Sequence, residues 1–188
     1  TRFKSNAPSG GCRGPRPPAS GGCASSVRAV RITARVDYGV RAAIELAAAE
    51  RPPVKGETLA ARQHIPGKYL ENILADLRRA GLVASQRGAD GGYRLARDAA
   101  TISVADIIRA VEGPLADVHG TPPEELEYEG PAASLQKVWV ATRAALRSVL
   151  EEVTLADVAA GRLPAPVDDL LDDPTAWARR APRASRLG

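Results

Sequence analysis

Arg87 stands beside Gly88, Gly91 and Gly92 in the stretch SQRGADGGYRL, residues 85–95, a combination able to grip a phosphate. Glycine lets a backbone approach an anion closely, and arginine adds a charged, forked donor. A second set of polar side chains lies just upstream in PGKYLENILADLRRAG, residues 66–81. There Leu70, Ile73, Leu74 and Leu77 are spaced to share one helical face, which leaves Lys68, Tyr69, Glu71, Asn72 and Arg78 off that stripe. Lys68 and Asn72 are one turn apart, so both can point into a groove. Asn pairs with adenine, Lys with guanine or phosphate, and Glu71 accepts from cytosine or rejects a wrong base. Two roles stay open for Tyr69, phosphate contact through its hydroxyl or packing beside Leu70. Asp90 repels a phosphate and suits a turn-shaping role.

Other chemistries fit poorly. The glycines match neither GxxxxGK followed by Ser or Thr nor GxGxxG between strand and helix, so a nucleotide cradle is not indicated. His64 and His119 are the only histidines, and no nucleophile has a matching histidine or carboxylate pair, so no enzyme is expected. Cys12 and Cys23 both fall in a Gly/Pro/Ser-rich segment, leaving little from which to build a four-ligand metal or iron-sulfur site. No metal and no cofactor are therefore expected. The net charge of +4 and pI near 9.4 tilt toward an anionic partner. Aromatics at 4% argue against a single-strand stacking surface and leave duplex DNA open. There is no apolar run of eighteen residues and no hydrophobic leader, so a cytoplasmic protein without a membrane span is expected.

The elements that must position these residues follow from pattern. Thr33 can cap a first helix ending near Glu50, with Val36, Val40, Ile44 and Ala47 on one face. An extended piece around residues 54–56 precedes a brief helix that starts at Thr58. The helix opened by Pro66 stops at Gly81, and the strands LVASQ and YRLA flank the glycine-rich turn as a hairpin. Ser103 caps a fourth helix ending at Gly113 and Pro114. After a polar connection comes a long helix over residues 133–153, whose stripe of Leu135, Val138, Trp139, Thr142, Leu146, Val149 and Leu150 has nearly heptad spacing. One domain leaves that stripe uncovered, so these residues are expected to form a homodimer interface.

The expected fold class is mostly α with a small β-hairpin, a winged helix-turn-helix domain plus a long dimerisation helix. Residues 1–29 are expected to be a disordered basic arm and 30–113 the DNA-binding domain. A connecting loop, expected to take any effector, spans 114–131, the dimerisation region 132–163, and a disordered tail 164–188.

The runs RITARVDYGVRAAIELA and YLENILADLRRAGLVASQRGADGGYRLARDAATISVADIIRAVEGPL closely resemble the Rrf-two family of bacterial winged-helix transcriptional regulators. That family includes iron-sulfur sensors and a regulator of cysteine metabolism, and the resemblance covers residues 30–161. It implies a homodimer on a palindromic operator in double-stranded DNA, with wings in the minor groove; a repressor is the expected role, and the sequence leaves activation open. By the same resemblance Tyr69 contacts the backbone, Glu71 sits at the base-reading surface, and Arg87, Gly88, Gly91 and Gly92 form the wing. Cluster-binding members carry three cysteines between the fourth and the long helix, and residues 111–135 contain none. Asp37 matches a carboxylate ligand of some members, but one oxygen cannot hold a cluster, so no iron-sulfur cluster is expected. An unidentified effector would act at the connecting loop. The rival reading is an adaptor of the same fold whose acidic PPEELEYEG loop binds a protein partner or responds to a small molecule.

Overall fold

The computed structural model describes residues 32–88 and 90–178. Helices α1 (Ala34–Ala47), α2 (Gly56–Gln63) and α3 (Gly67–Arg79) precede the antiparallel strands β1 (Val83–Gln86) and β2 (Gly92–Leu95). Then follow α4 (Val104–Glu112), α5 (Leu135–Leu150), α6 (Leu155–Ala160) and α7 (Ala165–Leu171). The expected arm at residues 1–29 and the last ten residues of the expected tail lie outside the described residues.

Thr33 caps α1 by accepting from the Val36 N–H at 3.2 Å. Buried Gly39 lets α1 cross its neighbours closely, since a Cβ there would meet methyl groups of Val111, Ile107 and Ile73 at 3.2–3.5 Å. All four apolar residues of the α3 stripe are buried, as their spacing predicts, and they join Ala42, Ala43, Leu59, Val83 and Ile107 in one core.

The second helix begins at Gly56, earlier than the expected Thr58. Its N-cap Lys55 offers no capping side chain that the sequence could flag, and its carbonyl accepts from the Leu59 N–H at 3.1 Å. The helix ends at His64 in the left-handed region, which turns the chain so that Ile65 is buried between α2 and α3. Strand register pairs Val83 with Leu95 and Gln86 with Gly92. The extended piece before α2 adds one more pairing to this hairpin: Val54 and Tyr93 exchange two backbone hydrogen bonds of 2.8 Å.

α5 is shorter than the expected 133–153 because the chain leaves the helix to pair elsewhere. The Val153 carbonyl accepts from Val104 N–H at 2.9 Å, and Leu155 N–H donates to the Ile102 carbonyl at 2.9 Å. This sets the N-termini of α4 and α6 side by side, each closed by a reciprocal capping box, Ser103 with Asp106 and Thr154 with Asp157. Leu155 then enters the winged-domain core fully buried. Residues 164–188, expected to lack order, instead form α7 in their first part. Pro166 lies in its first turn and Val167 is buried beneath it.

Candidate nucleic-acid interface

α3 is tied to the core through its apolar stripe, which presents Lys68, Tyr69, Glu71 and Asn72 outward. Tyr69 remains 39% exposed while its ring meets Tyr38 of α1 edge to face, with centroids 5.8 Å apart. Arg41 lies 5.6 Å from the Tyr38 centroid, so the aromatic pair is braced from the first helix by a cation. The ring thus packs, and the hydroxyl end of an exposed side chain is left for a polar contact.

The two arginines at the end of α3 have different tasks. Arg79 pairs with Asp76 at 2.8 Å, and Arg35 of α1 pairs with the same carboxylate. Arg78 reaches across to the hairpin, donating to Ser85 Oγ at 3.2 Å. That bond links α3 to the hairpin.

Glycine is required in the hairpin by close approach. A Cβ on Gly91 would lie 2.5 Å from the Gln86 carbonyl oxygen and 2.8 Å from that of Gly88, and the Gly91 N–H bonds that Gly88 oxygen at 3.0 Å. A Cβ on Gly92 would lie 2.6 Å from the Val54 carbonyl carbon. The wing therefore owes its tight loop to Gly91 and its docking on the Val54 strand to Gly92. Arg87, Gly88 and Asp90 are exposed at its tip.

α3 and the wing enclose a groove of about 680 Å³, lined by Glu71 and Arg78 on one side and by Arg87, Gly88, Gly91 and Gly92 on the other. Lys55, Gly56 and Glu57 close its end, together with Gln86 and Tyr93 of the hairpin. Sequence reasoning missed Lys55, because no local pattern brings residue 55 to the wing. The signal was the extended piece before α2, whose pairing with Tyr93 joins segments distant in the chain. Lys68 and Asn72 lie on the exposed face of α3 and do not line the groove.

The stripe on α5 is divided. Trp139, half-buried, donates from Nε1 to the Tyr128 hydroxyl of its own chain at 3.2 Å. Gln136 donates to the Glu124 carbonyl at 3.0 Å, and Arg143 pairs with the Glu124 carboxylate. Leu135, Val149 and Leu150 are half-buried, whereas Val138, Thr142 and Leu146 are exposed. The Glu124 carboxyl is held below the usual carboxylate range by its own backbone N–H, with help from Arg143.

The described residues contain no cysteine. The connection between α4 and α5 offers only Asp117, His119 and four glutamates as donors, and no three His, Cys, Asp or Glu side chains converge among the described residues. One Asp117 oxygen is buried without a partner, yet a lone carboxylate lacks the thiolates that hold an iron-sulfur cluster. Asp37 pairs with Arg41 at 3.0 Å on the surface of α1. This donor set does not fit a cluster. Among the described residues no helix is long and apolar enough to cross a membrane.

A helix pair joined by a tight turn, with the second helix exposed beside a short β-hairpin, defines a winged helix-turn-helix protein. The chain belongs to the Rrf2 family: residues 32–161 match its sequence profile, described as an iron-dependent transcriptional regulator. It is 49% identical over 160 residues to the protein Rv1287 of Mycobacterium tuberculosis, named as an HTH-type transcriptional regulator, covering 85% of this chain and 99% of that one. It is 38% identical over 131 residues to the HTH-type transcriptional regulator CymR of Bacillus subtilis, covering 69% and 90%. The solved structure of B. subtilis CymR, the global cysteine regulator, superposes with a TM-score of 0.60 at 37% identity over 71% of this chain and 98% of that one. IscR of T. potens superposes with a TM-score of 0.56 at 33% identity, covering 81% and 94%. The protein is an Rrf2-type helix-turn-helix transcriptional regulator, in a family that binds DNA.

Proposed function

We propose that the chain is a cytoplasmic homodimeric repressor that reads a palindromic operator in duplex DNA without an iron-sulfur cluster. The observation that carries this reading is the groove shared by α3 and the wing, with Glu71 and Arg78 on one wall and Arg87 on the other, and with Lys68 and Asn72 exposed on the same helix. Lys68, Glu71 and Asn72 would reach base edges in the major groove, and Tyr69 and Arg78 would contact phosphates. Arg87 on the backbone of Gly88, Gly91 and Gly92 would enter the adjacent minor groove. Exposed Val138, Thr142 and Leu146 of α5 supply an apolar face for a twofold partner, which would set two α3 helices about 34 Å apart, one turn of DNA. Such a dimer blocks transcription wherever its site overlaps a promoter. The lack of cysteine in residues 111–135, where cluster-binding members carry three, favours a signal other than an iron-sulfur cluster.

Selection from a random duplex pool, followed by binding measurements on the winning sequence, tests the reading. A twofold-symmetric site is expected. Failure to enrich any sequence supports the adaptor alternative and overturns this one.

A further inference from the structure

α5 and α7 carry opposite charge and little cover. α5 contains Lys137, Arg143 and Arg147 and no acidic residue, while residues 165–177 contain Asp168, Asp169, Asp172 and Asp173 and no basic one. No residue of α5 is buried, and in α7 only Val167 is.

The helical period divides α5 into three faces. Gln136, Trp139 and Arg143 hold the connecting segment of their own chain. Val138, Thr142 and Leu146 form the second face, assigned above to the twofold axis. Lys137, Val140, Ala144 and Arg147 follow at i, i+3, i+7 and i+10 and form a third stripe, two small apolar side chains with a cation at each end. All four are exposed although α7 is present in the same chain, so α7 does not cover them in cis.

α7 offers the complement. Leu170 is 55% exposed and Trp177 74%, and Trp177 is held beside Leu171 by an Nε1 hydrogen bond of 2.9 Å to its carbonyl. Two aspartates stand on each side of the Leu170–Leu171 pair in sequence. An apolar patch with four carboxylates therefore exists opposite in charge to a small-residue stripe with two cations. The family match ends at residue 161, so α7 lies outside it.

We infer that α7 of one chain docks in trans on the Lys137, Val140, Ala144 and Arg147 stripe of α5 in a second copy. Leu170 and Leu171 would lie on Val140 and Ala144, and the aspartates would face Lys137 and Arg147. This rests on the homodimer reading above. The contact would clasp the dimer and add a salt-sensitive component to its affinity.

Two full-length variants test it by sedimentation equilibrium, one with K137E and R147E, the other with D168K, D169K, D172K and D173K. All six substitutions are at exposed positions. Each variant alone should self-associate at least about tenfold more weakly than the unmodified chain, since like charges then oppose across the interface. Mixed in equal amounts, they should form a heterodimer within about threefold of the unmodified affinity, because in trans each reversed helix meets a reversed partner. A cis contact would gain nothing from mixing. Unchanged self-association of either variant, or a mixture as weak as its components, overturns the inference alone. An unmodified chain that stays monomeric overturns it together with the homodimer reading.

Discussion

A single methyl group on Gly92 should detach the wing while leaving the helical core folded. In Gly92→Ala the new Cβ would lie 2.6 Å from the Val54 carbonyl carbon and closer still to its oxygen, both backbone atoms that cannot turn aside. The chain relieves this by moving β2 away from Val54, which breaks the two 2.8 Å hydrogen bonds between Val54 and Tyr93. Each such bond contributes about 0.5–1.5 kcal/mol net, so the loss is about 1–3 kcal/mol. For a chain of this size that lowers the Tm by roughly 2–12 °C. Urea denaturation supplies the free energy, and fluorescence anisotropy with a selected duplex supplies the functional consequence. Affinity should fall for all sequences alike, because a displaced wing no longer reaches its phosphates while α3 still meets the base edges. Gly67→Ala is the control: a Cβ there meets nothing within 4 Å, and stability should hold or rise slightly. Gly92→Ala with unfolding free energy and DNA affinity both unchanged would refute the argument that the Val54 pairing positions the wing.

Other consequences are open to measurement. Arg87→Ala should weaken duplex binding and reduce the slope of log K against log salt by about 0.9 for each phosphate that the arginine neutralises; an unchanged slope removes Arg87 from the interface. Asn72→Ala should cost about 1–3 kcal/mol on the selected operator and almost nothing on unrelated duplex, read by competition binding. Leu155→Ala should destabilise the winged domain by about 2–5 kcal/mol in urea, since Leu155 is fully buried in its core. Thr154→Ala removes a capping side chain and should cost about 1 kcal/mol in the same assay. That loss is pH-dependent. The Thr154 side chain first, then its backbone N–H, holds the Asp157 carboxyl below the ordinary aspartate value. A depressed carboxylate stabilises above its unfolded pKa and loses that contribution as pH falls through the lower folded value. The difference between Thr154→Ala and the unmodified chain should therefore be full at neutral pH and shrink in acid.

The elements with strong local signals were legible in the sequence. The spacing of Leu70, Ile73, Leu74 and Leu77 places all four inside and the polar residues of α3 outside. Ser103 caps α4 as its position suggests, and the glycine-rich turn joins the two strands of a hairpin. What escaped depends on pairings between segments far apart in the chain. α2 starts early because Lys55 is placed by the strand pairing of Val54, which no residue near Thr58 announces. Trp139 fits the heptad stripe, yet its indole is turned toward Tyr128 of its own chain, because a helix flanked by a Pro-rich acidic segment has two claimants for one apolar face. Leu155 reads as the end of a dimerisation region but is recruited to the core by pairing of its backbone with Ile102. α7 was missed because charge and Pro density masked a single buried anchor, Val167.

Whether α3 and the wing together read a specific duplex is decided by the ratio of affinities for the selected operator and a scrambled duplex at physiological salt. A ratio of about 10³ or more is expected, reduced by Asn72→Ala and left nearly intact by Arg87→Ala, which weakens both duplexes together. Equal affinity for the two duplexes, or no binding to either, would contradict it.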